Sequence, residues 1–197
     1  MRNKSQMIII ISSPSGAGKT TICKKILQND DCIKISISDT TRTPRDNEID
    51  GKDYNFVSED HFKKKIANKE YAEYARVFGN LYGSLHKDVK KLINGGFDVL
   101  FDIDWQGAKQ LKNSEYKNIL SFFIMPPSKK DIYERLQARS VLSGDNEESI
   151  KKRMLFYETE ISHKEEYDHV ILNDNIDECI REIQLLIIKN RKKLRTH

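Results

Sequence analysis

The sequence predicts an α/β protein: a mainly parallel five-stranded sheet flanked by helices, with an inserted subdomain of mixed short strands and a helical lid. Three observations carry this. Apolar or alternating runs near 7–12, 33–38, 97–103, 119–125 and 167–172 are separated mostly by segments of helical spacing, the pattern of parallel strands joined by helical crossovers. The first run, Met7-Ile8-Ile9-Ile10-Ile11, leads through a small-residue loop into a stretch with helical spacing, Ile22, Cys23, Ile26 and Leu27. Residues 36–84 break the alternation into short strands and turns.

Length and composition set the bounds. A chain of 197 residues suits one domain with a sizeable core. No apolar run approaches the roughly 18 residues of a membrane span, so no membrane partner is expected. The five-residue run after the charged start is too short for a secretory signal. Cys23, Cys32 and Cys179 are odd in number and widely spaced, which fits reduced thiols in the cytoplasm better than a disulfide framework or a metal knuckle. Net charge is a mild +4. The basic stretch Lys189 to Arg195 reads as a frayed helix end, where cations complement the dipole, rather than as a nucleic-acid tail.

Taken in order, the elements place the chemistry. The loop Ser13-Pro14-Ser15-Gly16-Ala17-Gly18-Lys19-Thr20 matches G-x-x-x-x-G-K-[ST] except that Ser13 replaces the first Gly. Small residues let successive backbone N–H groups curl around an anion, and the helix starting near Lys19 adds its positive end. Lys19 supplies a mobile charge for outer phosphates, and the Thr20 hydroxyl can hold Mg²⁺. Ile33, Ile35 and Ile37 alternate with polar residues as a half-buried strand, running into Asp39-Thr40-Thr41-Arg42-Thr43-Pro44-Arg45. Arg42 and Arg45 can grip a phosphate as a fork, although on this segment alone a solvated loop is the simpler reading. Gly51 to Val57 reads as a turn and short strand, and Ser58 to Asn68 as a helix with Phe62 and Ile66 inward. Tyr71 to Phe78 and Leu81 to Ser84 are strands about a Gly79-Asn80 turn, so 36–84 looks like an insertion bearing a binding surface.

Val89, Leu92 and Ile93 mark a helix ended by Gly95-Gly96. Phe97 to Ile103 is a buried strand ending in Asp102-Ile103-Asp104-Trp105-Gln106-Gly107. Alternation puts Asp102 and Asp104 on one side of that strand, at the carboxyl end where α/β sheets place ligand groups, so metal or substrate contact is expected of them. Ile119 to Met125 is a strand stopped by Pro126-Pro127. A helix from Ser128 to Leu142 carries Arg135 and Arg139 on one face, and a second, Glu147 to His163, carries Arg153. Alone these arginines read as solvated helix charges; together they make a movable lid with inward cations. Tyr167 to Leu172 is the last strand, ending at Asn173-Asp174, and Ile176, Ile180, Ile183 and Ile187 mark a closing helix.

These pieces together resemble the guanylate kinase family, from residue 6 to residue 188. The matching segments are the loop at 13–20, Ser-Ile-Ser-Asp-Thr-Thr-Arg-Thr-Pro-Arg at 36–45, Gly-Lys-Asp-Tyr-Asn-Phe-Val at 51–57, Tyr-Gly-Ser at 82–84, Asp-Ile-Asp-Trp-Gln-Gly at 102–107, Pro-Pro-Ser at 126–128 and Asn-Asp at 173–174. The resemblance implies a P-loop kinase core (6–35, 85–127 and 158–188), a GMP-binding insertion (36–84), a lid (128–157) and a basic end (189–197). It implies transfer of the γ-phosphoryl group of ATP to GMP or dGMP with Mg²⁺. The loop from Ser13 to Thr20 would hold ATP, with Asn173 near adenine. Arg42, Arg45, Tyr54 and Tyr82 would clamp the GMP phosphate. Ser38 would donate to guanine O6, Glu73 and Asp104 would accept from the N1–H and N2–H₂ edge, and Ser84 would back the pocket. Adenine offers Glu73 no such donor pair. Lys19, Arg42, Arg135, Arg139 and Arg153 would neutralise the transferring group, and Thr20 and Asp102 would hold Mg²⁺. The family's pattern is departed from at Ser13, Leu81 and Leu85, and at Ala138-Arg139-Ser140, where it has Gly-Arg-Gly. The competing readings are an inactive phosphopeptide-binding module of the same fold and a kinase for another nucleoside monophosphate. Intact Lys19 and Thr20 oppose the first; Glu73 with Ser38 and Asp104 opposes the second.

Overall fold

A computed structural model describes residues 6–143 and 147–196, the side chains of 139–143 excepted. In chain order the elements begin with β1 (Ile8–Ser12), α1 (Lys19–Asn29), β2 (Ile33–Ile35), β3 (Asp39–Thr40), β4 (Asn55–Phe56), α2 (Glu59–Ala67), β5 (Tyr71–Val77) and β6 (Asn80–Leu85). They continue with α3 (His86–Asn94), β7 (Asp98–Asp102), α4 (Trp105–Lys112), β8 (Ile119–Met125), α5 (Lys129–Ser143), α6 (Glu147–Ser162), β9 (His169–Leu172) and α7 (Ile176–Arg195).

Five strands form a parallel sheet in the order β2-β7-β1-β8-β9. Every residue of β1 is buried, because helices cover both faces. Ile9 and Ile11 share a core with Ile22 and Ile26 of α1 and Ile183 and Ile187 of α7. Ile8 and Ile10 share the other with Val89 of α3 and Leu111 of α4. This two-sided burial is why the strand reads as an unbroken apolar run instead of an alternating one. The register sets Ile11 opposite Asp102, so the carboxyl end of β7 lies beside the loop that leaves β1.

The second sheet, ordered β4-β3-β6-β5, is mixed: β3 runs parallel to β4 and antiparallel to β6. It has its own small core of Phe62, Tyr71, Leu81 and Leu85. Buried Asp39 pins it, accepting from Lys65 Nζ at 2.6 Å, the Tyr71 hydroxyl at 2.8 Å and Asn55 Nδ2 at 3.0 Å.

Four expectations change. The strand at 33–38 stops at Ile35; Ser36 N–H still donates to the Leu100 carbonyl, but the chain then crosses to the second sheet, where Asp39 and Thr40 pair with β6. Helix α4 follows β7 almost at once, an element the spacing did not single out. Asp104 is therefore not a strand residue beside Asp102: it caps α4, its Oδ1 accepting from Gly107 N–H at 3.0 Å. The basic stretch is the helix end expected of it, in α7, but where fraying was expected Arg191 ties it to the core through Asp98 at 2.6 Å and through Asp30. Among the described residues no helix is long and apolar enough to cross a membrane.

Candidate active site

The loop after β1 is shaped from within and from below. Ala17 N–H closes it onto the Pro14 carbonyl, and Gly18, at φ +95°, turns the chain into α1. A Cβ on Gly18 would also stand 2.8 Å from Asn173 Nδ2. Asn173 is buried at the end of β9, and its Nδ2 donates to the Ala17 carbonyl at 2.7 Å. It braces the loop from the end of β9. Lys19 Nζ lies 2.6 Å from Asp102 Oδ1 and donates to the Ile103 carbonyl. Burial opposes the charge on Lys19, but the attraction and hydrogen bond of Asp102 outweigh it and raise its pKa above the ordinary lysine value. Thr20 and Asp102 line the same cleft. Among the described residues no group of three or more His, Cys, Asp or Glu side chains could hold a metal by itself. The hard oxygens of Thr20 and Asp102 fit Mg²⁺, which takes one or two protein ligands and fills its shell with phosphate oxygens and water.

A second cationic site is built by the Thr-Thr-Arg segment. Thr40 Oγ1 donates to the Leu81 carbonyl and Thr41 Oγ1 accepts from Leu81 N–H, splicing the segment to β6. Arg42 is thereby set beside Tyr82, donating from Nε to its hydroxyl at 3.2 Å, with the guanidinium 5.5 Å from the centre of the Tyr54 ring. Its Nη2 meets both oxygens of Glu48, at 2.7 and 2.9 Å. Glu48 also accepts from Arg45 N–H at 2.9 Å and lies 3.6 Å from Arg45 Nη1. Burial would raise the Glu48 pKa, but Arg42 and Arg45 lower it below the ordinary carboxylate value. Burial, then the charge of Asp102, pushes the Tyr54 hydroxyl up to about 12, so it stays a donor. Glu48 escaped the sequence reading; its one signal is an acid three residues after Arg45, in reach of both arginines.

The third group lies deeper in the cleft. Glu73 on β5 is buried, and its Oε1 has no hydrogen-bond partner among the described residues. Burial, helped by the Asp104 charge, pushes its pKa up to about 7 against the hydrogen bond of Ser84. Ser38 and Asp104 line the cleft with it, while Ser84 lies fully buried behind, its Oγ 3.1 Å from that of Ser38. Asp104 Oδ2 accepts from Gln106 Nε2 at 2.8 Å.

The α5–α6 pair closes on the loop. Ala17 packs against Ile132, Leu136, Ile150 and Tyr157. Arg153 Nη1 donates to Ser15 Oγ at 2.8 Å, and Glu160 accepts from Ser15 N–H at 3.2 Å. Burial pushes Glu160 up to about 7 despite that N–H and the nearby charge of Lys19. Arg135 and Arg153 line the cleft, and Arg135 Nη2 reaches the Asn173 carbonyl. The Arg139 side chain lies outside the described residues.

Two sets of cations thus line one cleft of about 940 Å³, Lys19 at the loop after β1 and Arg42 with Arg45 on the insertion. A parallel sheet that presents a Gly-x-Gly-Lys-Thr loop to a facing pair of arginines is the architecture of P-loop phosphotransferases of the nucleoside monophosphate class. A family model described as guanylate kinase matches residues 5–190. The chain is 45% identical over 193 residues to a guanylate kinase of Rickettsia bellii, covering 98% of this chain and 99% of that one. It is 47% identical over 186 residues to one of Ruegeria sp., covering 94% and 84%. The crystal structure of guanylate kinase from Anaplasma phagocytophilum matches with a TM-score of 0.77 at 34% identity, over 96% of this chain and 88% of that one. The chain belongs to the guanylate kinase family.

Proposed function

We propose how this cleft carries out ATP:GMP phosphotransfer, the reaction of the family to which the chain belongs. The observation that carries the assignment is buried Glu73, whose unpartnered oxygen shares a cleft with the phosphate loop and the arginine clamp. Guanine offers N1–H and N2–H₂ as donors to one carboxylate and O6 to Ser38; adenine leaves that carboxylate buried and unpaired. Asp104 accepts from the same edge, and Ser84 holds Ser38. Arg42, Arg45, Tyr54 and Tyr82 clamp the acceptor phosphate, by charge-assisted bonds from the arginines and hydroxyl donors from the tyrosines.

The phosphate loop from Ser13 to Thr20 holds the triphosphate, with Asn173 fixing its shape from beneath. Lys19, Arg135, Arg139, Arg153 and, from the acceptor side, Arg42 neutralise the group in transit. Thr20 and Asp102 would hold Mg²⁺, which supplies charge neutralisation at the β- and γ-phosphates when bound. No strong general base is required, because a loose phosphoryl transition state is stabilised chiefly by positioning and charge. The insertion at 36–84 binds the acceptor. The α5–α6 pair acts as a lid that keeps water from the phosphoryl group. dGMP is taken as a second acceptor, as the family's reaction includes it. Action in the cytoplasm, without a nucleic-acid or membrane partner, goes with these small-molecule substrates. An intact loop with Lys19 and Thr20 favours catalysis over phosphopeptide binding. The test is a coupled assay of ADP release with ATP, Mg²⁺ and, separately, GMP, AMP, UMP and dTMP. Turnover with GMP alone of the four is expected; equal turnover with AMP would overturn the assignment of the base pocket.

A further inference from the structure

We propose that Phe78 is a positioning residue that holds Arg153 over the phosphate loop from the acceptor side of the cleft. This rests on the reading of Arg153 as a cation of the group in transit. Phe78 stands at the tip of the hairpin that joins β5, which carries Glu73, to β6, which carries Tyr82 and Ser84. Its ring lies under the Arg153 guanidinium, with Cζ 5.1 Å from the ring centre. The same ring meets Phe156 edge to face, at 5.5 Å and 79°. Both partners lie on α6, and Arg153 reaches from there to Ser15 Oγ at 2.8 Å. Phe78 and Arg153 both line the cleft.

Stability alone gives little reason for this ring. Phe78 is 37% exposed and has φ +47°, a left-handed conformation unfavourable for a bulky side chain. The turn's glycine, Gly79 at φ +86°, comes one place later. A strained, half-exposed aromatic whose ring partners both lie across the cleft fits a functional contact better than a folding one. A planar guanidinium resting on an aromatic face keeps its charge while losing rotamer freedom. The hairpin that reads the acceptor base therefore also stations a donor-side cation, so an ordered acceptor subdomain favours a correctly placed Arg153.

The experiment compares the full-length chain with Phe78→Leu, Phe78→Tyr, Arg153→Ala and the Phe78→Leu/Arg153→Ala pair, by steady-state kinetics at saturating ATP with GMP varied, and by thermal unfolding. Phe78→Leu keeps apolar bulk but removes the ring face. It is expected to lower kcat about tenfold with KM for GMP within about twofold, while Phe78→Tyr stays near the wild type. The double variant should be no slower than Arg153→Ala, and the thermal midpoint of Phe78→Leu should not fall. A slow Arg153→Ala beside a wild-type Phe78→Leu overturns the role of Phe78 and leaves that of Arg153 standing. A wild-type kcat in Arg153→Ala overturns both. Losses that add in the double variant, or that follow a lowered midpoint, assign Phe78 a merely structural role and overturn the proposal.

Discussion

Glu73 and Gly107 touch across the join between the two sheets: a Cβ on Gly107 would collide with the Glu73 carboxylate and stand 3.2 Å from its Cδ. In an ordinary helix, Gly→Ala is stabilising by about 1 kcal/mol. In α4 the added methyl must displace the carboxylate that faces the base. Gly107→Ala is therefore expected to lower kcat/KM for GMP at least tenfold while leaving KM for ATP unchanged. Steady-state kinetics with each substrate varied checks this, and a wild-type kcat/KM for GMP would contradict it.

The same carboxylate makes stability depend on pH. Its folded pKa of about 7 lies above the free value of 4.5, so the native state binds the extra proton between those limits. Stability from this group is full below about pH 4.5 and is lost as pH rises through about 7, by about 3 kcal/mol for Glu73. Glu73→Gln imitates the protonated acid. It should match the wild type near pH 5 and exceed it near pH 8 in nucleotide-free denaturant unfolding. A difference that does not change with pH would show Glu73 ionised throughout. If Glu73 accepts from guanine as proposed, GMP requires the ionised form, and wild-type affinity for GMP should rise through pH 7 more steeply than that of the variant.

Lys19 ends the loop after β1 and sits 2.6 Å from Asp102. Lys19→Ala is expected to lower kcat by about 10²–10³ with KM for GMP little changed, as for loss of one transition-state donor. An unaltered kcat would remove Lys19 from the transfer step.

Glu48 holds Arg42 by two bonds and Arg45 by its backbone N–H. Without it, two guanidinium groups regain freedom that phosphate must then remove. Glu48→Ala is expected to raise KM for GMP about tenfold with kcat within about threefold. A lowered KM would instead identify Glu48 as a competitor of the phosphate.

The residues with periodic or motif signals were legible in the sequence. Ile8 to Ile11 announced a strand, whose burial on both faces the structure adds, and the loop at 13–20 announced its place between strand and helix. Arg42 and Arg45 offered a phosphate fork by spacing, with a solvated loop as the simpler reading of the segment alone; the hydroxyls of Thr40 and Thr41 explain how the pair is set. Less visible was what depends on folding partners far along the chain. Asp104 alternates with Asp102 in sequence, yet helix capping takes it out of the strand. Asn173 is one polar residue at a strand end, and only its 2.7 Å bond across 156 residues makes it part of the loop. Glu160 carries no pattern and is defined by its bond to Ser15 in the distant loop, whereas Glu48 had only the weak local signal of its spacing from Arg45.

The most direct measurement is the ratio of kcat/KM for GMP to that for AMP, in the wild type and in Glu73→Gln. A buried carboxylate matched to two guanine donors predicts a wild-type ratio of about 10³ or more, falling at least tenfold in the variant. A ratio unaltered by Glu73→Gln would contradict the central claim, that this carboxylate is what selects guanine.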